Sequence, residues 1–212
     1  MLSLAVGVFG ISFGVLAGAT GLGVAKTCAM SLLVFTGGSQ FAAVGVIQAG
    51  GSTGTALGSA LLLAARHTAY GVTLAPLLRD VPFARRLLAA HVVLDESTAM
   101  ATAQPDPADA AGAFWITGVA VFVFWNLGTL LGAVAGSSIG DPSSYGLDAA
   151  FPAGFIALVA PHLRRRPGQV AAAVGALLAL ALTPLTPPGV PIVVAAVAVL
   201  PAALFTSPEE PG

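Results

Sequence analysis

Apolar runs of close to twenty residues follow one another along the chain, parted by short polar knots. The hydrocarbon core of a bilayer is about 30 Å thick, and roughly 20 apolar residues in a helix cross it. Runs of this length read as membrane helices, not as the alternating strands or narrow apolar stripes of a water-soluble domain. They fall at about 2–20, 24–49, 53–78, 87–104, 113–137, 149–163, 168–183 and 189–206. The opening "MLSLAVGVFG" has no basic residue ahead of its apolar run, so it reads as a retained first span. The pattern predicts an all-α polytopic membrane protein of about seven or eight transmembrane segments. It forms a single domain over 1–206, followed by a disordered tail at 207–212.

Two features interrupt this regularity. "VFTGGSQF" (34–41) and "AFPAGFIA" (150–157) each set a helix breaker in the middle of a run, which predicts two broken or re-entrant helices. Bare backbone in lipid costs several kcal/mol per unsatisfied group, so unwound segments persist only where protein or water covers them. The second feature is a repeat. "GISFGVLAG" (10–18) and "GTLLGAVAG" (128–136) carry glycine every fourth residue, with Ala17 and Ala135 in the same register. Such ladders let helix backbones approach closely. They predict an internal repeat with halves at approximately 1–78 and 113–183 and a linking span at 87–104. Paired interruptions in two halves are a sequence pointer to a transporter binding site.

Composition sharpens the class. Of 212 residues, 57% are hydrophobic and 8% charged, against about 25% charged in soluble domains, so there is too little charge to cover a wetted surface. A net charge of −1 excludes a nucleic-acid partner, and one cysteine, Cys28, excludes an internal disulfide framework. No Cys/His spacing suggests a metal, no Gly-rich loop follows a strand, and no nucleophile and base can be set together. No metal, cofactor or catalytic residue is expected. Among the connectors, "RDVPFARR" (79–86) and "RRRP" (164–167) are basic and "QPDPADA" (104–110) is acidic. Positive charge marks the cytoplasmic side, which puts both basic knots inside and the acidic one outside. Three spans separate the basic knots, so one of them, with 149–163 the suspect, does not cross fully.

The chemistry lies in the few polar residues inside these runs. Gly37 and Gly38 unwind the second run, and Ser39 is expected to cap a restarting half-helix whose N-terminus, with Gln40, suits a carboxylate. An Arg at a helix centre costs roughly 2.5–3.5 kcal/mol on insertion scales, so Arg66 is expected to face a cavity or a partner instead of reaching for an interface. Ser59, Arg66, Tyr70 and Thr73 share one face, with His67 on an adjoining seam. His91, Asp95, Thr98 and Thr102 form a complementary stripe, with Glu96 one step off it. The arrangement predicts an Arg66–Asp95 or Arg66–Glu96 pair, leaving one carboxylate for a substrate ammonium or a proton. Asn126 is either a ligand contact or a bond to a neighbouring helix. Asp148, ahead of the second break, reads as an N-cap or a gate acid.

These same stretches resemble the AzlC-type branched-chain amino acid permeases, the large subunit of the azaleucine-resistance system. The pieces are "FGVLAGATGLG", "AMSLLVFTGGSQFAAV", "ARHTAYGVTLAPLLR", "LDESTAM", "FWNLGTLLGAVAG" and "GLDAAFPAGFIALV", from residue 13 to about 160. The resemblance implies export of leucine, isoleucine, valine and methionine across the cytoplasmic membrane by secondary transport, together with a small membrane subunit of the AzlD type. The chain departs from the family pattern at Ala65, where Asn is common, and at Leu94, where Thr is common. The alternative is a channel or membrane scaffold whose buried charges only lock helices together.

Overall fold

The structure is a computed structural model that describes residues 1–136, 146, 149, 152, 153, 156, 159, 160 and 162–204. Among them it contains helices and no strands. Helix α1 spans Leu2–Ala19, α2 Gly23–Leu33, α3 Gly38–Gln48, α4 Thr53–Ala64, α5 Arg66–Leu74, α6 Phe83–His91, α7 Asp95–Thr102 and α8 Pro107–Gly136. Beyond the partly described region come α9 (Arg166–Leu182), α10 (Val190–Ala195) and α11 (Val199–Ala203). Two helices, Leu2–Ala19 and Pro107–Gly136, are long and apolar enough to cross a membrane. Large apolar side chains such as Leu33, Leu61, Leu131 and Leu180 point outward, as they do where the surrounding medium is itself apolar.

The frame is the pair α1 and α8. Their glycine ladders face each other, and both helices run in the same direction, since later residues of one meet later residues of the other. A Cβ on Gly10 would stand 2.6 Å from the Trp125 carbonyl oxygen. One on Gly14 would collide with the Thr129 carbonyl, one on Gly128 with the Gly7 carbonyl, and one on Gly132 with the Ile11 carbonyl. These contacts are reciprocal. The 118-residue shift that carries Gly10 onto Gly128 turns the Gly10–Trp125 contact into the Gly7–Gly128 contact, and Gly14–Thr129 into Ile11–Gly132. At the last rung a Cβ on Gly136 would meet Val15 Cα at 3.0 Å, whereas one on Gly18 would meet no described residue within 4 Å.

The expected break in the second run is present, between α2 and α3, but its cap differs. Gly37, at φ +58°, is the residue before α3. Ser39 therefore lies inside the helix and does not cap it, because the chain needs the left-handed freedom of glycine to re-enter helical geometry. The run at 53–78 is α4 and α5 joined at Ala65, followed by a short 3₁₀ turn at Pro76–Leu78. Ser52 caps α4 by accepting from the Thr55 N–H at 3.1 Å.

The run at 87–104, expected as one helix, is two. It is interrupted at 92–94, where Leu94 is extended at φ −137°, ψ 170°. The Ser97 hydroxyl closes this gap, accepting from the Leu94 N–H at 2.9 Å and donating to the Val92 carbonyl at 2.7 Å. His91 and Asp95 thus belong to different helices and share no stripe. The second expected break, within 150–157, lies largely outside the described residues.

Phe13 stacks on Trp125 at 5.8 Å, with Phe41 edge-on to both, and these rings centre the core between α1, α3 and α8. The C-terminal helices are moored where Ser59 donates to the Gly189 carbonyl at 3.3 Å.

The glycine contacts make a graded prediction. Gly10→Leu and Gly132→Leu push α1 and α8 apart and should lower the yield of monodisperse protein in detergent, since overpacking costs about 1–3 kcal/mol or more. Gly18→Leu, which meets no described residue, should leave it unchanged. Size-exclusion profiles of the three variants check this.

Candidate functional site

Both helix breaks converge on one guanidinium. Arg66 opens α5 and reaches α7, where Nε donates to Asp95 Oδ1 at 3.2 Å and Nη2 to Oδ2 at 3.1 Å. This is the two-pronged geometry that a planar fork makes with a carboxylate. Nη2 also donates to the Thr36 carbonyl at 3.3 Å, and Nη1 to Leu63 at 3.2 Å. Four hydrogen bonds thus draw on a group with five N–H donors. Thr36 belongs to the unwound segment between α2 and α3, so Arg66 ties the first break to the first residue of α7. The Tyr70 hydroxyl donates to Asp95 Oδ1 from the next turn of α5. The Arg66 and Asp95 side chains keep 25% and 24% of their surface exposed. The pair is embedded yet open on one side.

The ion pair resolves the choice left by the sequence in favour of Asp95. Its neighbour Glu96 is half-buried and makes no salt bridge among the described residues. Both acids occupy the first turn of α7, where the N-terminal end of a helix favours negative charge.

At the first break, Gln40 is a strut. Its Oε1 accepts from the Gly37 N–H at 3.1 Å and the Thr36 N–H at 3.4 Å, and Nε2 donates to Met30 at 3.3 Å. Fully buried, Gln40 holds the unwound turn instead of offering itself as a free donor and acceptor. At the start of α3, the Gln40 and Phe41 N–H groups return to the Gly37 carbonyl. Gly38 and Ser39 stand ahead of them, where a helix has no internal acceptor to give. The Ser39 hydroxyl is 1% exposed and bonds no described residue.

His67 sits beside this site, its ring edge-on to Tyr70 at 5.7 Å. Nδ1 lies 2.9 Å from the Ala64 carbonyl. A carbonyl only accepts, so Nδ1 carries hydrogen, and Nε2 is left buried without a bonded partner among the described residues. Asn126 stands apart from the ion pair: its Nδ2 donates to the Phe122 carbonyl one turn back on α8, at 2.8 Å. Across α2 and α8 the polar contact belongs to Ser31 and Thr129, at 3.1 Å. Asp148 lies outside the described residues.

Sequence reasoning missed the Thr36 carbonyl and the gap before α7. The first carried no signal, since any residue supplies a carbonyl. The second did: "LDES" places two acids and a serine where a helix start favours them.

Apolar helices around an open charged pair at broken backbone mark a membrane protein. The chain belongs to the AzlC protein family, whose model matches residues 2–139, α1 to α8 with a short extension. The match begins nearer the N-terminus than residue 13 and stops short of 160. This is a family of membrane transporters, not of enzymes. No curated protein and no solved structure matches the chain.

Removing either member of the ion pair leaves the other charge half-embedded, which costs up to about 3–5 kcal/mol when burial is complete and less here. Arg66→Ala and Asp95→Asn should each lower the unfolding temperature in detergent. Arg66→Lys should recover only part of the loss, because an ammonium cannot span Asp95 and Thr36 together. Thermal unfolding monitored by tryptophan fluorescence reads this out.

Proposed function

We propose that the chain is the large subunit of a secondary exporter carrying leucine, isoleucine, valine and methionine out across the cytoplasmic membrane. In this reading it is a multi-pass protein of seven or eight spans, built from two repeat halves and completed by a small AzlD-type subunit. The observation that carries the reading is the Arg66 fork, which joins the Thr36 carbonyl at one helix break to Asp95 at the other. An interaction that spans two unwound segments changes when either moves.

The roles follow from which groups are occupied. Arg66, Asp95 and Tyr70 form a closed set that holds the breaks in register. The N–H groups of Gly38 and Ser39, with the Ser39 hydroxyl, bond no described residue and are donors suited to a substrate carboxylate. Glu96, free of a salt bridge among the described residues, suits the ammonium. His67, with one ring nitrogen unpartnered among the described residues, suits the proton. Coupling then requires that substrate and proton bind one conformation more tightly than the other. The family supports amino-acid transport, and the branched-chain substrates come from the resemblance alone. Asn126 and Asp148 enter as further contacts on α8 and ahead of the second break.

Counterflow of labelled valine into proteoliposomes, with the small subunit co-reconstituted, tests the proposal. Wild type should accumulate label. Ser39→Ala should weaken apparent affinity about tenfold, the scale of a hydrogen bond to a charged group. Glu96→Gln should abolish accumulation. The double exchange Arg66→Asp with Asp95→Arg should restore folding but not flux, since it removes the guanidinium from Thr36. Full flux in that exchange would make the pair a structural lock, as a scaffold or channel requires.

A further inference from the structure

Helix α6 is patterned inside out. Its buried residue, Ala89, belongs to the core cluster of Leu74, Val93 and Phe114. On a helix of 3.6 residues per turn, Arg85 and Arg86 flank Ala89 from the turn before it. Leu87 falls on the opposite side, with Phe83 and Leu88 to either hand. These three apolar side chains are 58%, 74% and 63% exposed. A helix at a water-facing surface turns its charges outward and its oily face to the core. Here the oily face turns away from the protein, and the arginines border the face that packs. Such a helix suits the boundary between headgroups and acyl chains, where its surroundings are apolar on one side and polar at its end.

The turn that leads into α6 supplies the charge. Residues 79–86 hold three arginines against one acid, Asp80. Arg86 folds back on the turn, its Nε donating to the Val81 carbonyl at 2.8 Å and its Nη2 to the Arg79 carbonyl at 3.2 Å. This brace closes the turn and brings Arg79 beside the start of α6. The side chains of Arg79 and Arg85 are exposed and engage no described residue. A guanidinium offers a planar fork that fits two oxygens of a phosphate. A headgroup with its own cation would meet these arginines with repulsion, whereas a purely anionic one would not.

We propose that the 79–86 turn and the outward face of α6 form a site for an anionic phospholipid, with Arg79 and Arg85 on its phosphate and Phe83, Leu87 and Leu88 along its acyl chains. The inference needs a membrane protein only and stands apart from the transport reading. Helix α6 ends at His91, just ahead of the gap at 92–94. A lipid seated on α6 therefore steadies the near side of the second break, while Arg66 holds its far side at Asp95.

Thermal unfolding of the full chain in a nonionic detergent, followed by tryptophan fluorescence, tests this. Phosphatidylglycerol added to the micelles should raise the unfolding temperature, and phosphatidylcholine with the same acyl chains should raise it less. Arg79→Gln and Arg85→Gln should each demand about fivefold more phosphatidylglycerol for the same rise, the scale of one cation near an anionic surface. Arg79→Lys and Arg85→Lys should keep most of the response. Both glutamine variants alter exposed side chains and should unfold with wild type when no lipid is added, which separates lost binding from misfolding. Phe83→Ser combined with Leu87→Ser should weaken the response to both lipids. Equal stabilisation by the two lipids, or an unchanged response in the glutamine variants, would overturn the site. Inorganic phosphate that reproduces the phosphatidylglycerol effect would assign the arginines to a free anion instead. A co-expressed small subunit that erases the lipid response in wild type, and fails to copurify with the glutamine variants, would assign the face to a protein.

Discussion

A guanidinium in a low-charge environment must find acceptors, and Arg66 finds them at helix breaks and helix ends. A continuous helix spends its carbonyls on its own ladder, so the Thr36 carbonyl is free because the backbone unwinds after α2. Asp95 can face Arg66 because α7 begins anew at that residue. Neither break would be tolerable without the other half of the arrangement. Unwound backbone needs polar company, and the charge needs unwound backbone. Gln40 and Ser97 add to the balance by accepting from the Gly37 and Leu94 N–H groups.

The two breaks are built alike although their residues differ. In each, a side chain three residues into the new helix reaches back to an N–H at its start: Gln40 to Gly37, and Ser97 to Leu94. This half of a capping box satisfies a donor that would otherwise be orphaned. At the first break glycine supplies the reversal through a positive φ, whereas at the second an extended leucine does so. A break of the first kind announces itself in sequence, and one of the second kind hides in an apolar run.

That difference explains what could be read from the sequence. The glycine ladders, the interruption at Gly37 and Gly38, and the pairing of Arg66 with one of two acids were all legible, because each rests on a local rule about backbone freedom or charge. The choice of Asp95 over Glu96 was not, since it depends on α7 starting at Asp95 and thereby turning that carboxylate to α5. Ser39 was misjudged by treating a polar residue near a break as its cap, when glycine takes that position and leaves the hydroxyl buried behind it. Asn126 was open between a ligand and a neighbouring helix; among the described residues its amide donates back to its own helix. Thr36 acts through its carbonyl, which no side-chain pattern reports.

The co-directional meeting of α1 and α8 carries a consequence of parity. If both helices traverse a bilayer, the chain between them must traverse it an odd number of times. The helices in that stretch are each too short to do so singly, but taken end to end as α2–α3, α4–α5 and α6–α7 they make three. The knot at 79–86 then emerges beside the ends of α1 and α8, and the acidic turn at 104–106 beside Met1. Charge alone would orient such a chain, arginines inward and carboxylates outward.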